Sequence, residues 1–390
     1  MVEPDSPAFR AARIFDAWFR RNERPTTAMS VSAELSFSEL LLRWAADHGR
    51  NALPWHPRAG EPADPYRVWV SEIMLQQTQL STMLPYYHRF VARFPSVRDL
   101  ALAQESEVLA AWSGLGYYAR ARNLLAASRA IERGGCMPRS ASEWEALPGV
   151  GASTAAAIAS VTRCERAAVL DGNVRRVFAR QVCATEPWGS AALARRLQVE
   201  AQARLPLEAR QMPAYTQAIM DLGATVCLPR RPACSRCPVA GSCLAFAREQ
   251  TDRFPVPADK RARPTRQAWW LLMQHEGQWA FLRRPPQGLW GGLLTLPELA
   301  SAPPRSLEAR RSGHPDLQSV GEIVHDFTHF TLKAAVFRAQ PQSQQDVQTL
   351  MSDSLADDPS AMVWITPERA LQEGLPAPLR RLVVSLGRDE

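Results

Sequence analysis

Four cysteines, Cys227, Cys234, Cys237 and Cys243, fall within seventeen residues at the spacing C-x6-C-x2-C-x5-C. Thiolates this close in sequence can wrap one tetrahedral metal ion or one iron–sulfur cube. A structural zinc site usually shows two C-x2-C knuckles and here only one pair is that tight, so spacing alone leaves both open. The other three of the seven cysteines, Cys136, Cys164 and Cys183, have no partner spacing and read as buried apolar residues. Seven cysteines in 390 residues are too few for a disulfide scaffold and point to a reducing compartment.

Two carboxylates stand in informative settings. Asp171, in Val169-Leu170-Asp171-Gly172-Asn173-Val174-Arg175-Arg176, opens a basic helix whose free N–H groups and dipole keep it ionised. Glu72, in Trp69-Val70-Ser71-Glu72-Ile73-Met74-Leu75-Gln76-Gln77-Thr78-Gln79, reads as lying near a helix start. The dipole there lowers a carboxyl pKa, so Glu72 holds a proton only if burial outweighs it. About twenty residues before Asp171, Leu147-Pro148-Gly149-Val150-Gly151 turns into a small-residue helix from Ser153 to about Ser160. Amide N–H groups at such a turn make a site for one phosphate.

These groups need two kinds of scaffold. From Phe37 to about Phe246 the texture is helical, with segments that end in glycine as C-capped helices do. Trp69, Ile73, Leu80, Leu84 and Tyr87 share one helical face, with a break expected at Pro85. Residues 247–266 hold three prolines and many charges and read as a linker. Beyond it AWWLLMQHEGQWAFLRR and EIVHDFTHFTLKAAVFRA read as hairpins, MVWIT as a strand, and PLRRLVVSL as a closing helix. The fold class expected is therefore α + α/β multidomain: an N-terminal extension at 1–36, an all-helical domain at 37–248 with the cysteine loop at 227–243, a linker at 249–265 and an α/β domain at 266–390. The extension has neither the charge balance of a mitochondrial presequence nor the apolar core of a signal peptide, and Met29 is a candidate start of translation. A net charge of +7 and a pI near 9.3 suit a polyanionic partner. No apolar run approaches 18 residues, so no membrane span is expected.

The LPGVG hairpin resembles the helix-hairpin-helix of DNA-repair proteins, which grips the sugar–phosphate backbone without reading sequence. With the DGN that follows, it resembles the base-excision DNA glycosylase superfamily. The cysteine spacing resembles the [4Fe–4S] loop of the endonuclease III and MutY glycosylases. SEIMLQQTQ, LPWH at Leu53–His56 and GLGYYARARNL at Gly114–Leu124 narrow the resemblance to the MutY family, from about residue 38 to the C-terminus. Endonuclease III shares the hairpin, the aspartate and the cluster, but not Glu72 in this context. An endonuclease III-like glycosylase/lyase acting on oxidised pyrimidines is the alternative.

The resemblance implies a monofunctional adenine DNA glycosylase acting on adenine opposite 8-oxoguanine or guanine in double-stranded DNA. It also implies a cytoplasmic, nucleoid-associated bacterial protein, a monomer with no membrane partner. Cleaving the N–C1′ bond of adenine needs one carboxyl that holds a proton and one that stays an anion. The family makes Glu72 the acid that protonates the flipped base at N7 and Asp171 the group that stabilises the cationic sugar, supported by Asn173 and Ser153. Leu53, Trp55 and Gln217 would line the adenine pocket, with His56 a departure where relatives often carry Arg or Gln. Gln77 and Tyr117 would enter the base stack. Gly149, Val150, Gly151 and Arg175 would contact DNA, and Arg230, Arg231 and Arg236 could meet phosphates. Cys227, Cys234, Cys237 and Cys243 would hold a [4Fe–4S] cluster.

Residues from about 266 onward resemble the MutT/Nudix-like domain of that family. A working Nudix hydrolase needs a glutamate-rich REx2EE helix, and LASAPPRSLEARRSG lacks it, so recognition rather than hydrolysis is expected. Phe327, Thr328 and His329 match a Phe-Ser-His loop that contacts 8-oxoguanine, with Thr in place of Ser. The lysine that bifunctional relatives use to form a Schiff base has Ser153 in its place. The chain has only two lysines, Lys260 and Lys333.

Overall fold

The computed structural model describes residues 35–50, 52–56, 62–258, 263–285, 288–302, 317–327, 329–339 and 362–386. Nearly all of the expected N-terminal extension, most of the segment expected to replace the Nudix glutamates, Lys260 and Thr328 lie outside them. The described helices are α1 (Phe37–His48), α2 (Pro65–Leu75), α3 (Leu80–Arg93), α4 (Val97–Leu102), α5 (Glu105–Trp112), α6 (Ala119–Gly134), α7 (Ala141–Glu145), α8 (Ala152–Arg163), α9 (Gly172–Gln181), α10 (Ala191–Ala203), α11 (Met212–Asp221), α12 (Leu244–Ala247), α13 (Pro367–Gln372) and α14 (Ala377–Leu386). The strands are β1 (Thr265–His275), β2 (Gln278–Arg283), β3 (Leu294–Thr295), β4 (Gln318–Asp326), β5 (Thr331–Ala339) and β6 (Met362–Ile365). The expected change from helices to strands falls where the composition changes.

Packing follows another division. The chain forms two compact units, residues 1–73 with 134–260, and residues 74–133 with 261–390. The first unit is built on α9, whose Val174, Val177 and Phe178 are buried in a core shared with Leu41, Leu197 and Tyr215. Local signals place its helices: Ser36 and Glu39 form a capping box at α1, and Ser190 caps α10. Part of the expected linker packs here, since Phe254 is buried against Cys183 and Ala245 and Trp188 N–H donates to Val256 O at 2.8 Å.

In the second unit β1 and β2 form a tight antiparallel hairpin, and β4 and β5 another. β1 runs parallel to β5 from Thr265↔Thr331 to Met273↔Ala339 and joins the hairpins into one sheet, ordered β3-β2-β1-β5-β4, with β6 on β2. Helices α3–α6 pack in this unit with the sheet. Tyr118 Oη donates to Leu375 O at 2.9 Å, Arg380 donates to Ser113 Oγ at 3.3 Å, and Arg122 donates to Gly291 O.

Two sequence expectations change. The helix carrying Glu72 ends at Leu75 and a new one begins at Leu80, so the break lies at 76–79 and Pro85 sits inside α3. Gln77 adopts the left-handed φ of 57° there, which no helix tolerates. Pro85 is accommodated because Ser81, whose carbonyl loses its partner, is exposed to water. Of the three cysteines read as buried, only Cys183 is; Cys136 is exposed and Cys164 half-buried. Cys136 lies in the loop after α6 and Cys164 caps the end of α8 in a left-handed conformation, positions at the rim of the packing.

Candidate active site

The start of α2 is fixed by Asp64, whose Oδ1 accepts from Tyr66 N–H at 2.9 Å, and by Pro65 in the first turn. The helix is 11 residues long, and Glu72 lies in its C-terminal half rather than near its start. The start signal sits upstream of the motif that drew attention to Glu72, which is why the expectation missed it. The correction reverses the electrostatics, because the negative end of the dipole disfavours a carboxylate. Burial first, and the charge of Asp171 second, push Glu72 from 4.5 up to about 7, with Arg50 pulling the other way. By exposed area the residue is half-buried.

Asp171 is the N-cap of α9, and its Oδ1 accepts from Val174 N–H at 2.7 Å. The segment leading to it is held by Ser153, whose Oγ accepts from Leu170 N–H at 3.0 Å. Asn173 donates to Asp171 Oδ2 at 3.5 Å and accepts from Arg176 at 2.9 Å. The same arginine donates to Gly223 O at 2.7 Å and to Cys227 O at 2.8 Å. Position 223 must be glycine, because a Cβ would stand 2.8 Å from Asn173 Cβ and 3.0 Å from its backbone. One turn further along α9, Arg180 donates to Cys227 Sγ at 3.3 Å and Leu228 O at 2.7 Å. Asn173, Arg176 and Arg180 thus follow helical spacing from the aspartate to the cysteine loop.

A second network flanks a cleft of about 330 Å³ lined in part by Leu42, Ala45, His56, Gln217 and Asp221. Asp221, 1% exposed, pairs with Arg50 at 2.6 Å and accepts from Arg50 N–H at 2.7 Å. Gln217 Nε2 donates to Asp221 at 2.6 Å, which turns Gln217 Oε1 toward His56 Nε2 at 3.1 Å. That arrangement places the His56 proton on Nε2. Trp55 is buried with its ring edge-on to His56, and Leu53 is half-buried. His56 can therefore act as a hydrogen-bond donor at the edge of the cleft.

The hairpin joins α7 and α8, with Val150 buried as its anchor and Gly149 and Gly151 exposed. Gly149 takes φ 77°, Gly151 is the N-cap of α8, and the helix begins one residue earlier than expected, at Ala152. Trp144 of α7 packs on Trp69 of α2 at 5.6 Å, which ties the hairpin to the helix of Glu72. Cys227, Cys234, Cys237 and Cys243 line one small cavity together with Val177, Arg180 and Phe246. Burial, ahead of the neighbouring sulfurs, pushes the Cys237 thiol up to about 12, so a bound cation is needed to take it as thiolate. Among the described residues, no three His, Cys, Asp or Glu side chains converge as a single metal ion requires. Arg230, Arg231 and Arg236 are exposed on the same loop.

Comparison with known proteins decides the family. Residues 70–199 match the HhH-GPD superfamily of base excision DNA repair proteins, and residues 268–384 match the NUDIX domain. An adenine DNA glycosylase of Buchnera aphidicola (subsp. Acyrthosiphon pisum) is 30% identical over 76% of this chain and 84% of its own length. The human adenine DNA glycosylase is 32% identical over 87% of this chain and 71% of its own. The chain belongs to the adenine DNA glycosylases. It is a DNA glycosylase with a helix-hairpin-helix domain followed by a Nudix-like one. Among solved structures, a thermostable thymine-DNA glycosylase is 26% identical with a TM-score of 0.46, covering 54% of this chain and 95% of that one.

In this glycosylase the remaining sequence candidates are dispersed. Gln77 and Tyr117 are exposed, each at a positive φ, in the loops before α3 and α6. Arg175 folds back and donates to Leu170 O at 3.0 Å, bracing the segment that leads to Asp171. Phe327 turns inward, its ring 4.5 Å from His325 and 4.8 Å from Phe330, while His329 is exposed. Sequence reasoning missed Arg50, Asp221, Arg176, Arg180 and Gly223. Arg176 and Arg180, both in α9, lie three and seven residues beyond Asn173, a helical spacing visible in DGNVRRVFAR. Arg50 and Asp221 stand 171 residues apart, and nothing local pairs them.

Proposed function

We propose that this adenine DNA glycosylase removes adenine paired with 8-oxoguanine or guanine and leaves an intact strand with an abasic site. The observation that carries the reading is the carboxyl pair: Glu72, raised to about 7, beside Asp171 at a helix start. Glu72 then holds a proton at neutral pH and gives it to adenine N7. The N9–C1′ bond breaks, adenine takes the bonding electrons, and the cationic sugar is stabilised by the Asp171 carboxylate. Water adds to C1′ and loses its proton, with Glu72, now ionised, as the acceptor. Asn173 and Ser153 hold Asp171 in place, and Leu53, Trp55, His56 and Gln217 border the adenine.

Gln77 and Tyr117 fill the stack once the base has left it. The exposed hairpin glycines present N–H groups to one phosphate, and Arg230, Arg231 and Arg236 approach others. Cys227, Cys234, Cys237 and Cys243 hold a [4Fe–4S] cluster; that all four line one small cavity supports a shared centre. The cluster's part is to brace the loop that Arg176 and Arg180 tie to Asp171. The Nudix-like domain reads 8-oxoguanine through Thr328 and His329, with Phe327 anchoring the loop. The test is single-turnover excision on duplexes carrying A opposite 8-oxoguanine, A opposite guanine, and thymine glycol. The first should react fastest and the last not at all, and His329→Ala should narrow the gap between the first two. Release of thymine glycol with strand cleavage favours the glycosylase/lyase alternative.

A further inference from the structure

Arg120, in the first turn of α6, is half-buried and contacts both loops that carry the exposed Gln77 and Tyr117. One terminal nitrogen donates to Met74 O at 2.9 Å and to Gln76 O at 2.5 Å. The other reaches Thr78 Oγ1 at 3.3 Å, Leu115 O at 3.4 Å and Gly116 O at 3.2 Å. Its guanidinium also lies 5.4 Å from the ring centres of Trp112 and Tyr117. One loop is thus bonded on either side of Gln77 and the other just before Tyr117. Both residues are held in the left-handed region, Gln77 at φ 57° and Tyr117 at φ 50°. Non-glycine residues persist there only where the surroundings over-determine them. The carbonyls of Met74 and Gln76 also belong to the frayed end of α2, which a cation completes.

We propose that Arg120 is a positioning residue that locks Gln77 and Tyr117 at a fixed separation, so that both enter the DNA stack as one rigid wedge. This rests on the reading of Gln77 and Tyr117 as the stack-filling residues. A planar fork with donors in fixed directions suits the task better than lysine, which could hold one loop but not both. Burial pushes the guanidinium down to about 10, so it remains charged at neutral pH. The wedge costs no ordering when DNA binds, since both loops are already held.

The test compares four proteins: wild type, Arg120→Met, the double variant Gln77→Ala with Tyr117→Ala, and the triple variant. Each is mixed in excess with a duplex carrying A opposite 8-oxoguanine and 2-aminopurine beside the target, whose fluorescence rises when the stack opens. Arg120→Met should lose most of that rise and slow single-turnover excision roughly tenfold to a hundredfold, the cost of misplacing groups by about 1 Å. In the double background the same change should cost less than about twofold more. If the full factor persists there, or if Arg120→Met behaves as wild type, Arg120 does not act through the wedge. If the double variant itself opens the stack and excises like wild type, the stack-filling reading fails at its own step and the inference falls with it. Should Arg120→Met not fold, Arg120→Lys carries the same comparison, because it keeps the charge and loses the fork.

Discussion

Asp171 raises the proton affinity of Glu72, and the two carboxyls reach this relationship from opposite ends of two helices. Asp171 stands at the positive end of α9, and Glu72 near the negative end of α2. Burial, ahead of the Asp171 charge, raises the proton affinity of Glu72 before any substrate arrives.

Glu72→Gln should reduce adenine excision by roughly 10²- to 10⁴-fold while DNA affinity stays near wild type. It should also stabilise the protein in alkali. The folded-state pKa of Glu72 lies above its unfolded value, so its contribution is fully present below 4.5 and lost as pH rises through about 7. At about 1.4 kcal/mol per pH unit, the penalty removed at pH 8.5 is up to roughly 3 kcal/mol. Urea unfolding of both proteins at pH 4 and 8.5 measures it; an equal gain at the two values rejects the titration of Glu72.

The pH profile should follow the same group. Excision should fall above pH 7, as Glu72 loses its proton. Arg50 lowers the Glu72 pKa, so removing its charge should move that limb to higher pH. Arg50→Met alone strands the buried Asp221, so it is best made with Asp221→Asn. A limb that stays put or moves down in the double variant contradicts the assignment.

Gly223→Ala should damage catalysis from outside the pocket. The new methyl meets Asn173 at 2.8 Å and its backbone at 3.0 Å, so the start of α9 must shift. A loss of about 1–3 kcal/mol is expected, as for other overpacked sites. Single-turnover excision should drop more than the melting temperature alone explains, because Asn173 supports Asp171. Wild-type excision in a destabilised variant would show that Asn173 is only structural.

Protein purified without oxygen should be brown and carry about four iron atoms per chain. Cys237→Ser should lower both the iron content and the melting temperature, since the loop is tied to α9 through Arg176 and Arg180. One zinc per chain without iron removes the cluster from the account.

Borohydride should trap little or no covalent DNA complex. Schiff-base chemistry needs an amine, and the first turn of α8 carries Ser153, its hydroxyl accepting from Leu170 N–H. The two lysines of the chain are Lys260 and Lys333. Efficient trapping by the unmodified protein, with nicking as fast as base release, overturns monofunctional action. Ser153→Lys adds the missing amine and should increase trapping.

Much of the site is legible in the sequence because its parts are local. The Asp171 cap, the glycine hairpin and the cysteine spacing each depend on residues within one turn or loop, where backbone N–H groups and short-range sterics decide. The hairpins of the C-terminal half are legible for the same reason. Tertiary structure decided what depends on distance through space. Only the fold sets Glu72 near both Asp171 and Arg50, and burial with the Asp171 charge raises Glu72. Only packing brings Asp221 to Arg50 across 171 residues, closes Gly223 on Asn173, and groups α3–α6 with the sheet. Sequence carries the covalent spacing of these groups; dielectric, dipole direction and steric approach come from the folded chain.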